Sequence, residues 1–183
     1  PQHEFLARDV WQQTAYGGNA IHDHGHHGNA ILSRHTILSQ ANQDVSDHRF
    51  ESRGLLHCEV KIAGIERPVH CVCVHLGLTA GSRRRQMAAI VARLDKLAPD
   101  GAPLIIAGDF NDWGLQIKRM LAGFGLFEYE ETQGILTYPS RLPIAQLDHI
   151  YVRGLTPLGL QVPKGRIWWR MSDHLPLIAE FKL

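Results

Sequence analysis

The chain has 183 residues and a nearly balanced charge, with 19 Lys and Arg against 18 Asp and Glu. Hydrophobic residues make up 44% of the chain and charged residues 20%, which excludes disordered, collagen-like and disulfide-scaffold classes. A net charge of +1 gives no whole-protein field that would attract nucleic acid, so any anion-binding site must be local.

Size and cysteine content favour one domain in a reducing compartment. A chain of this length buries a sizeable core, and residues 1–183 are predicted to form a single domain. No stretch reaches the roughly 18 consecutive apolar residues of a transmembrane helix. The three cysteines, Cys58, Cys71 and Cys73, lack a framework of spacings and are predicted to be packing residues of a cytoplasmic protein.

The N-terminal third contains a histidine-rich segment. Residues 22–28 read HDHGHHG, with four histidines and two glycines, and this composition predicts a loop. A short strand is predicted over residues 29–33. Two Val- and Ile-rich runs, residues 55–63 and 68–74, flank Gly64 and predict a hairpin of two strands.

The clearest helix signal covers residues 82–98. Met87, Ile90, Val91 and Leu94 recur at helical spacing and form one apolar stripe. Ser82 is the predicted N-cap, because its hydroxyl can accept a hydrogen bond from the first turn.

Three consecutive arginines, Arg83, Arg84 and Arg85, open this helix. Cations at a helix N-terminus oppose the helix dipole, so the run predicts either an anionic neighbour, such as a substrate or lipid phosphate, or a solvated basic face. Further strands are predicted at residues 103–107, 147–152 and 175–181, with a short helix at 115–121. Because short strands outnumber helices, the sequence favours an α+β fold with a sheet core.

Acidic residues recur where predicted strands begin or end. Asp109 follows an apolar run in GDFND, Asp148 lies in LDHIYV, and Asp173 lies in SDHLPL. His174 follows Asp173, and His75 closes a buried strand in VHLGL. A lone Asp-x-Asn is usually a turn that caps the next helix, whereas three such carboxylates with two histidines indicate a site.

These residue types together point to hydrolysis at phosphorus. Converging carboxylates hold hard cations such as Mg²⁺ or Mn²⁺. A neutral histidine beside an Asp is a general base, because the carboxylate fixes its tautomer and raises its pKa. A bound metal stabilises the charge that develops on the phosphoryl oxygens.

VHLGL, GDFND, LDHIYV and SDHLPL, in this order and at roughly this spacing, resemble the endonuclease/exonuclease/phosphatase superfamily. The resemblance runs from about residue 17 to residue 183. The superfamily includes the DNase I-like nucleases, abasic-site endonucleases, neutral sphingomyelinases and inositol-phosphate phosphatases. The resemblance implies a four-layer αββα sandwich with the site at one edge of two packed sheets.

The resemblance also implies roles for the motif residues. His174 is the expected base that activates the attacking water, and Asp148 is its orienting partner. Asp173 is the expected ligand of Mg²⁺ or Mn²⁺. Asp109 is expected to position the nucleophile or the leaving group.

Three further positions are implied to contact the substrate phosphate or to lie beside it. Asn111 is expected to bind the scissile phosphate, and His75 to lie against a phosphate or leaving-group oxygen. Arg34, in GNAILSR, occupies the place of a basic residue near the site. Glu51 is a candidate acidic partner of His75.

Two motifs of the family are not found in the sequence. A strand with a TWN-like motif and a second strand that ends in a metal-binding Glu do not precede these motifs, and Glu4 lacks an apolar strand before it. The chain is therefore expected to lack the first β-α-β portion of the domain. Such a loss would expose a sheet edge and favour a homodimer.

Two functions follow as hypotheses. The first is a metal-dependent phosphodiesterase that acts on a nucleic acid or on a phospholipid head group, without a stable protein partner. The adjacent Trp168 and Trp169, flanked by Arg166 and Arg170, suit stacking on a base or a membrane interface. The alternative is a non-catalytic binding or regulatory module that retains the fold without the metal-binding Glu.

Overall fold

The computed structural model of the chain describes residues 10–22, 25–48, 51–99, 101–114, 116–128 and 135–183. The strands are β1 (Gln13–His22), β2 (Gly25–Ser33), β3 (Thr36–Asp44), β4 (Gly54–Lys61), β5 (Val69–His75), β6 (Leu104–Asp109), β7 (Phe127–Glu128), β8 (Asp148–Arg153), β9 (Thr156–Gln161) and β10 (Ile178–Lys182). The helices are α1 (Ala80–Leu97), α2 (Gln116–Ala122) and α3 (Arg166–Met171). Within these described ranges, no helix is long and apolar enough to cross a membrane.

Six strands form one mixed sheet in the order β3-β4-β5-β6-β8-β7. β5 and β6 are parallel, and the chain crosses between them through α1, whereas the other neighbours are antiparallel. β1 with β2 and β9 with β10 form two separate two-stranded antiparallel sheets, and α3 lies in the connection between β9 and β10. The predicted α+β fold is confirmed, and the predicted hairpin at 55–74 is β4 and β5.

Apolar side chains cover both faces of the six-stranded sheet. On the helix face, strand residues pack with residues of α1 and α2, and this core includes Leu55, Val72, Ile106, Met87, Ile90 and Leu121. On the other face, the sheet packs against the β1–β2 hairpin through Ala15, Leu56, Cys58 and Val60. The three cysteines are free and lie in or against this second core, as predicted.

Helix α1 begins at Ala80, two residues before the predicted bounds. Its N-cap is Thr79 and not Ser82: the Thr79 hydroxyl accepts a hydrogen bond from the Ser82 amide at 3.2 Å. The Ser82 hydroxyl instead donates to Asp47 Oδ2 at 2.7 Å. Arg85 also donates to Asp47, at 2.6 Å, and the buried Arg83 donates to the Leu78 carbonyl at 2.6 Å. The carboxylate of Asp47 is therefore the anionic neighbour of Arg85, whereas Arg84 is exposed, as expected for a solvated basic face.

The histidine-rich segment was predicted as a loop, and this is wrong for its described ends. β1 continues to His22 and β2 starts at Gly25, with these two residues paired. Gly18 pairs with Gly28, and a Cβ at Gly28 would lie 2.1 Å from the Gly17 carbonyl oxygen, so the close approach of the strands requires glycine there. Antiparallel pairing thus overrides the local preference for a loop. Residues 23 and 24 lie outside the described residues.

Two histidines are buried together on the helix face of the sheet. His57 of β4 and His70 of β5 are 2% and 3% exposed. Their rings are stacked, and Nε2 of His57 lies 3.0 Å from Nδ1 of His70. Burial lowers the pKa of both imidazoles, and the proximity of His70 lowers the pKa of His57 further. The native pair is therefore held neutral with one shared hydrogen bond.

This pair predicts a loss of stability in acid. The unfolded chain takes up protons near the ordinary histidine pKa of 6.5, whereas the native pair resists them. The free energy of unfolding should fall by up to about 1.4 kcal/mol per pH unit for each neutral histidine as the pH drops below that value. Urea unfolding between pH 7 and 5 measures this slope. The double variant His57→Gln/His70→Asn retains a hydrogen bond without titrating, and an unchanged slope in it would contradict the assignment.

Candidate active site

Three of the predicted site residues lie side by side at one edge of the six-stranded sheet. β5 and β6 pair in parallel with His75 opposite Asp109, and β6 and β8 pair antiparallel with Asp109 opposite Asp148. Directly paired residues project from the same face of a sheet. The register therefore places one imidazole and two carboxylates in a row, with Asp109 in the middle.

The fourth residue, His174, reaches this row from the segment after α3. Its Nδ1 lies 2.7 Å from Oδ2 of Asp148, and the Thr137 hydroxyl donates to the same carboxylate oxygen at 2.6 Å. The amide of His174 donates to the Ser172 hydroxyl at 3.1 Å, which orders the backbone just before the imidazole. The hydrogen bond to Asp148 raises the pKa of His174.

Asp109 lies between the two histidines. Its Oδ2 is 3.5 Å from Nε2 of His75 and 3.9 Å from Nε2 of His174. Burial raises the pKa of Asp109, although the amide of Asn111 donates to its Oδ1 at 2.8 Å. Burial also lowers the pKa of His75, and the nearby Arg53 lowers it further. The row thus contains one histidine that favours the charged form and one that favours the neutral form.

Asn111 is fixed beside Asp109 by the shape of the β6–α2 connection. Its φ of 48° is in the left-handed region, which asparagine tolerates better than most residues. Its side-chain amide donates to the Leu76 carbonyl at 3.0 Å, and the residue is 5% exposed. Asn111 therefore lies beside Asp109, with one side-chain amide N–H already bonded to the protein.

The other two predicted site residues, Asp173 and Arg34, lie outside this row. Asp173 lies on the exposed segment next to His174, where its backbone carbonyl accepts from the Ser140 amide at 2.7 Å. Arg34 is in the turn between β2 and β3 and lies 5.4 Å over the ring of Trp11. This turn leads to the residue that pairs with Lys61, at the end of β4 opposite to the candidate site. The structure therefore does not bring Arg34 to the row.

Sequence reasoning missed three neighbours of the site. Thr137 lies 11 residues before Asp148 and has no motif that would identify it. The ring of Tyr138 lies 4.9 Å from the imidazole of His174. Arg53 precedes β4 and donates to Glu51 at 3.1 Å. The sequence could have indicated Arg53, because it directly precedes β4, and the start of β4 lies beside the end of β5 at His75.

Glu51 was the candidate partner of His75, but its hydrogen bonds go elsewhere. Its Oε1 accepts from Arg53 and, at 3.3 Å, from the Leu78 amide. The carboxylate that approaches Nε2 of His75 belongs to Asp109. Glu51 therefore bonds to Arg53 and to the β5–α1 connection, while its negative charge acts to raise the pKa of His75 against the larger lowering by burial.

Carboxylate oxygens, the ligands that hard divalent cations prefer, lie in and near the row. Asp109 is a half-buried carboxylate whose pKa is raised by burial, and a nearby cation would favour its charged form. Asp173 offers a second carboxylate nearby. In the part of the chain that the structure describes, however, no group of three His, Cys, Asp or Glu side chains is placed to hold a metal ion. Glu4, which no apolar strand precedes in the sequence, lies outside that part.

Comparisons with known proteins agree with this arrangement. A sequence profile of the Endonuclease/Exonuclease/phosphatase family matches residues 2–174. The uncharacterized protein YbhP of Escherichia coli (strain K12) is 40% identical over 185 residues, which covers 99% of this chain and 73% of YbhP.

Solved structures share the fold. Mannosyl-6-phosphatase Bt3783 of Bacteroides thetaiotaomicron superposes with a TM-score of 0.78 and 16% identity, over 100% of this chain and 81% of that chain. The human Nocturnin catalytic domain with bound sulfate gives a TM-score of 0.78 and 19% identity, over 98% of this chain and 74% of that chain. These likenesses confirm the predicted DNase I-like fold.

Proposed function

The chain belongs to the endonuclease/exonuclease/phosphatase family, and from this premise we propose that it is a metal-dependent phosphoesterase that hydrolyses a phosphodiester bond. Members of the family are hydrolases, and they typically use a divalent metal. The observation that carries the proposal is the Asp148–His174 pair, whose 2.7 Å contact at Nδ1 leaves Nε2 turned toward Asp109.

His174 is the proposed general base. Asp148 holds the proton on Nδ1, so Nε2 carries the lone pair that accepts a proton from water. The hydroxide oxygen then bonds to phosphorus while the bond from phosphorus to the leaving oxygen breaks. Thr137 keeps the Asp148 carboxylate in place through its 2.6 Å hydrogen bond.

Asp109 and His75 are proposed to serve the leaving oxygen. Asp109, whose Oδ2 lies 3.5 Å from Nε2 of His75, positions that imidazole beside the leaving oxygen, and the departing oxygen takes its proton from solvent water. The lowered pKa of His75 keeps this imidazole neutral, with an N–H available to a phosphoryl oxygen.

Arg53 and Asn111 are the proposed phosphate contacts, in place of Arg34. The guanidinium of Arg53 is close enough to His75 to lower its pKa. An arginine beside the row can donate charge-assisted hydrogen bonds to an anionic phosphate oxygen. When bound, Mg²⁺ or Mn²⁺ supplies positive charge that stabilises the phosphoryl oxygens, and Asp109 and Asp173 are the described carboxylates that would hold it.

The experiment is a turnover assay on the purified chain and on YbhP as a longer relative. Both are given bis-p-nitrophenyl phosphate and the monoester p-nitrophenyl phosphate, with Mg²⁺, with Mn²⁺ or with EDTA. We expect diester hydrolysis that requires the metal. Hydrolysis of the monoester alone would assign a phosphatase. If neither protein hydrolysed either ester under any of the metal conditions, the result would favour the alternative, a binding module.

A further inference from the structure

Helix α3, which leads into the His174 segment, presents almost all of its side chains to solvent. None of its residues is buried. Ile167 is 64% exposed, Trp169 41% and Met171 61%, which is unusual for large apolar side chains next to a candidate active site.

Helix geometry determines which side chains of α3 lie on the same side. Successive residues rotate by about 100° in an α-helix, so Ile167 and Met171 share one side while Arg166 and Arg170 share the adjacent side. Trp169 flanks the arginines on their other side. The half-buried Trp168 occupies the remaining arc, toward the protein. The outward face of α3 is therefore a basic stripe with apolar side chains on both flanks.

A turn next to the segment after α3 adds further exposed apolar and basic side chains. The turn at residues 138–142 is held against the segment after α3, because the Ser140 amide donates to the Asp173 carbonyl at 2.7 Å and the Ser140 hydroxyl to the Ser172 carbonyl at 2.8 Å. Leu142 on this turn is 73% exposed, and Arg141 beside it is exposed. We call Arg166, Ile167, Trp169, Arg170, Met171 and Leu142 the basic–apolar rim.

We infer that the basic–apolar rim docks the protein on the surface of an anionic phospholipid bilayer. Large apolar side chains enter the boundary between head groups and acyl chains, and Trp is favoured at that depth. Arginines beside them extend their guanidinium groups to lipid phosphates. The charge of this region is complementary to an anionic surface. Segments 139–143 and 164–173 contain four basic residues, Arg141, Lys164, Arg166 and Arg170, and one acidic residue, Asp173.

This inference deepens the proposed function, on which it rests for the chemistry at His174. The rim is continuous with the candidate site, because His174 follows α3 by three residues and Tyr138, in the docked turn, touches the His174 ring. A protein seated on this face would hold its site at the level of the head groups. The diester phosphates of the lipids are then the substrate class offered to it.

Vesicle flotation of the full chain tests the inference. We expect it to float with phosphatidylcholine vesicles that contain phosphatidylglycerol and not with phosphatidylcholine alone. Arg166→Glu/Arg170→Glu should lower the vesicle partition coefficient by at least about 25-fold, or fivefold for each arginine. Ile167→Ser/Met171→Ser should lower it by about tenfold or more, because the apolar anchors are lost.

Leu38→Ser is the matched control. Leu38 is 54% exposed on β3, outside the rim, and its loss should leave flotation unchanged. Circular dichroism confirms that each variant is folded. Flotation that fails for the wild type, or that persists in both rim variants, would overturn the inference. Binding of a single-stranded oligonucleotide through the same arginines, without flotation, would also overturn it and assign the rim to nucleic acid. Because flotation does not depend on turnover, failure of the diesterase assay with intact flotation would affect only the proposed function.

Discussion

Replacing His174 by alanine is expected to lower kcat for bis-p-nitrophenyl phosphate by about 10²–10⁴-fold, the usual contribution of a general base. The variant keeps the sheet intact, because His174 lies on a connection and not in a strand. KM should change little, since the phosphate contacts proposed for Arg53 and Asn111 remain. Steady-state kinetics with saturating metal measure both constants.

His35→Ala is the control for this substitution. His35 is exposed in the turn between β2 and β3, at the end of the sheet away from the row. Its loss should leave kcat within the error of the assay. A His174→Ala variant that retains wild-type kcat would remove His174 from the mechanism and with it the proposed function.

Replacing Asp148 by asparagine is expected to lower kcat by roughly 10³-fold and to shift the pH profile. The carboxylate raises the pKa of His174, so wild-type activity should be lost as the pH falls through a value above the ordinary 6.5. An asparagine removes the negative charge that stabilises the imidazolium. The acid limb of kcat/KM should therefore move to lower pH in the variant while the plateau drops.

Thr137→Val provides a graded companion. It removes one hydrogen bond to Asp148 and keeps the charge, so its plateau should fall by only about tenfold. Its acid limb should stay near that of the wild type. An Asp148→Asn profile with an unmoved acid limb would show that another group sets this limb.

The sequence predicted most of the site because strand ends are local signals. Asp109 and Asp148 each follow or begin an apolar run, and the register of β6 and β8 places them opposite each other. The strand pattern alone does not show which histidine belongs to which carboxylate, and the pairing of His174 with Asp148 came from the family resemblance. His149 adjoins Asp148 in the chain, yet it points to the other face of β8 and lies 2.6 Å from Glu128. The partner of Asp148 is the more distant His174.

The failures have a common cause in tertiary structure. Arg34 lies in a motif of the family, but the β2–β3 turn carries it to the far end of the sheet. Thr137 lies in an irregular connection without periodicity, and only the folded chain shows its contact with Asp148. Ser82 satisfies the rules for an N-cap, but Thr79 extends the helix by one turn and leaves the Ser82 hydroxyl free for Asp47.

His174 and the residues of the row lie on parts of the molecule that differ in local stability. His75, Asp109 and Asp148 are set in paired strands, whereas His174 is attached through a short connection and two contacts from the turn at 138–142. Local opening of that connection requires less free energy than separation of the ladder. The proposed activity can therefore be lost before the sheet unfolds. Mild denaturant should abolish hydrolysis while the circular dichroism signal of the folded chain persists.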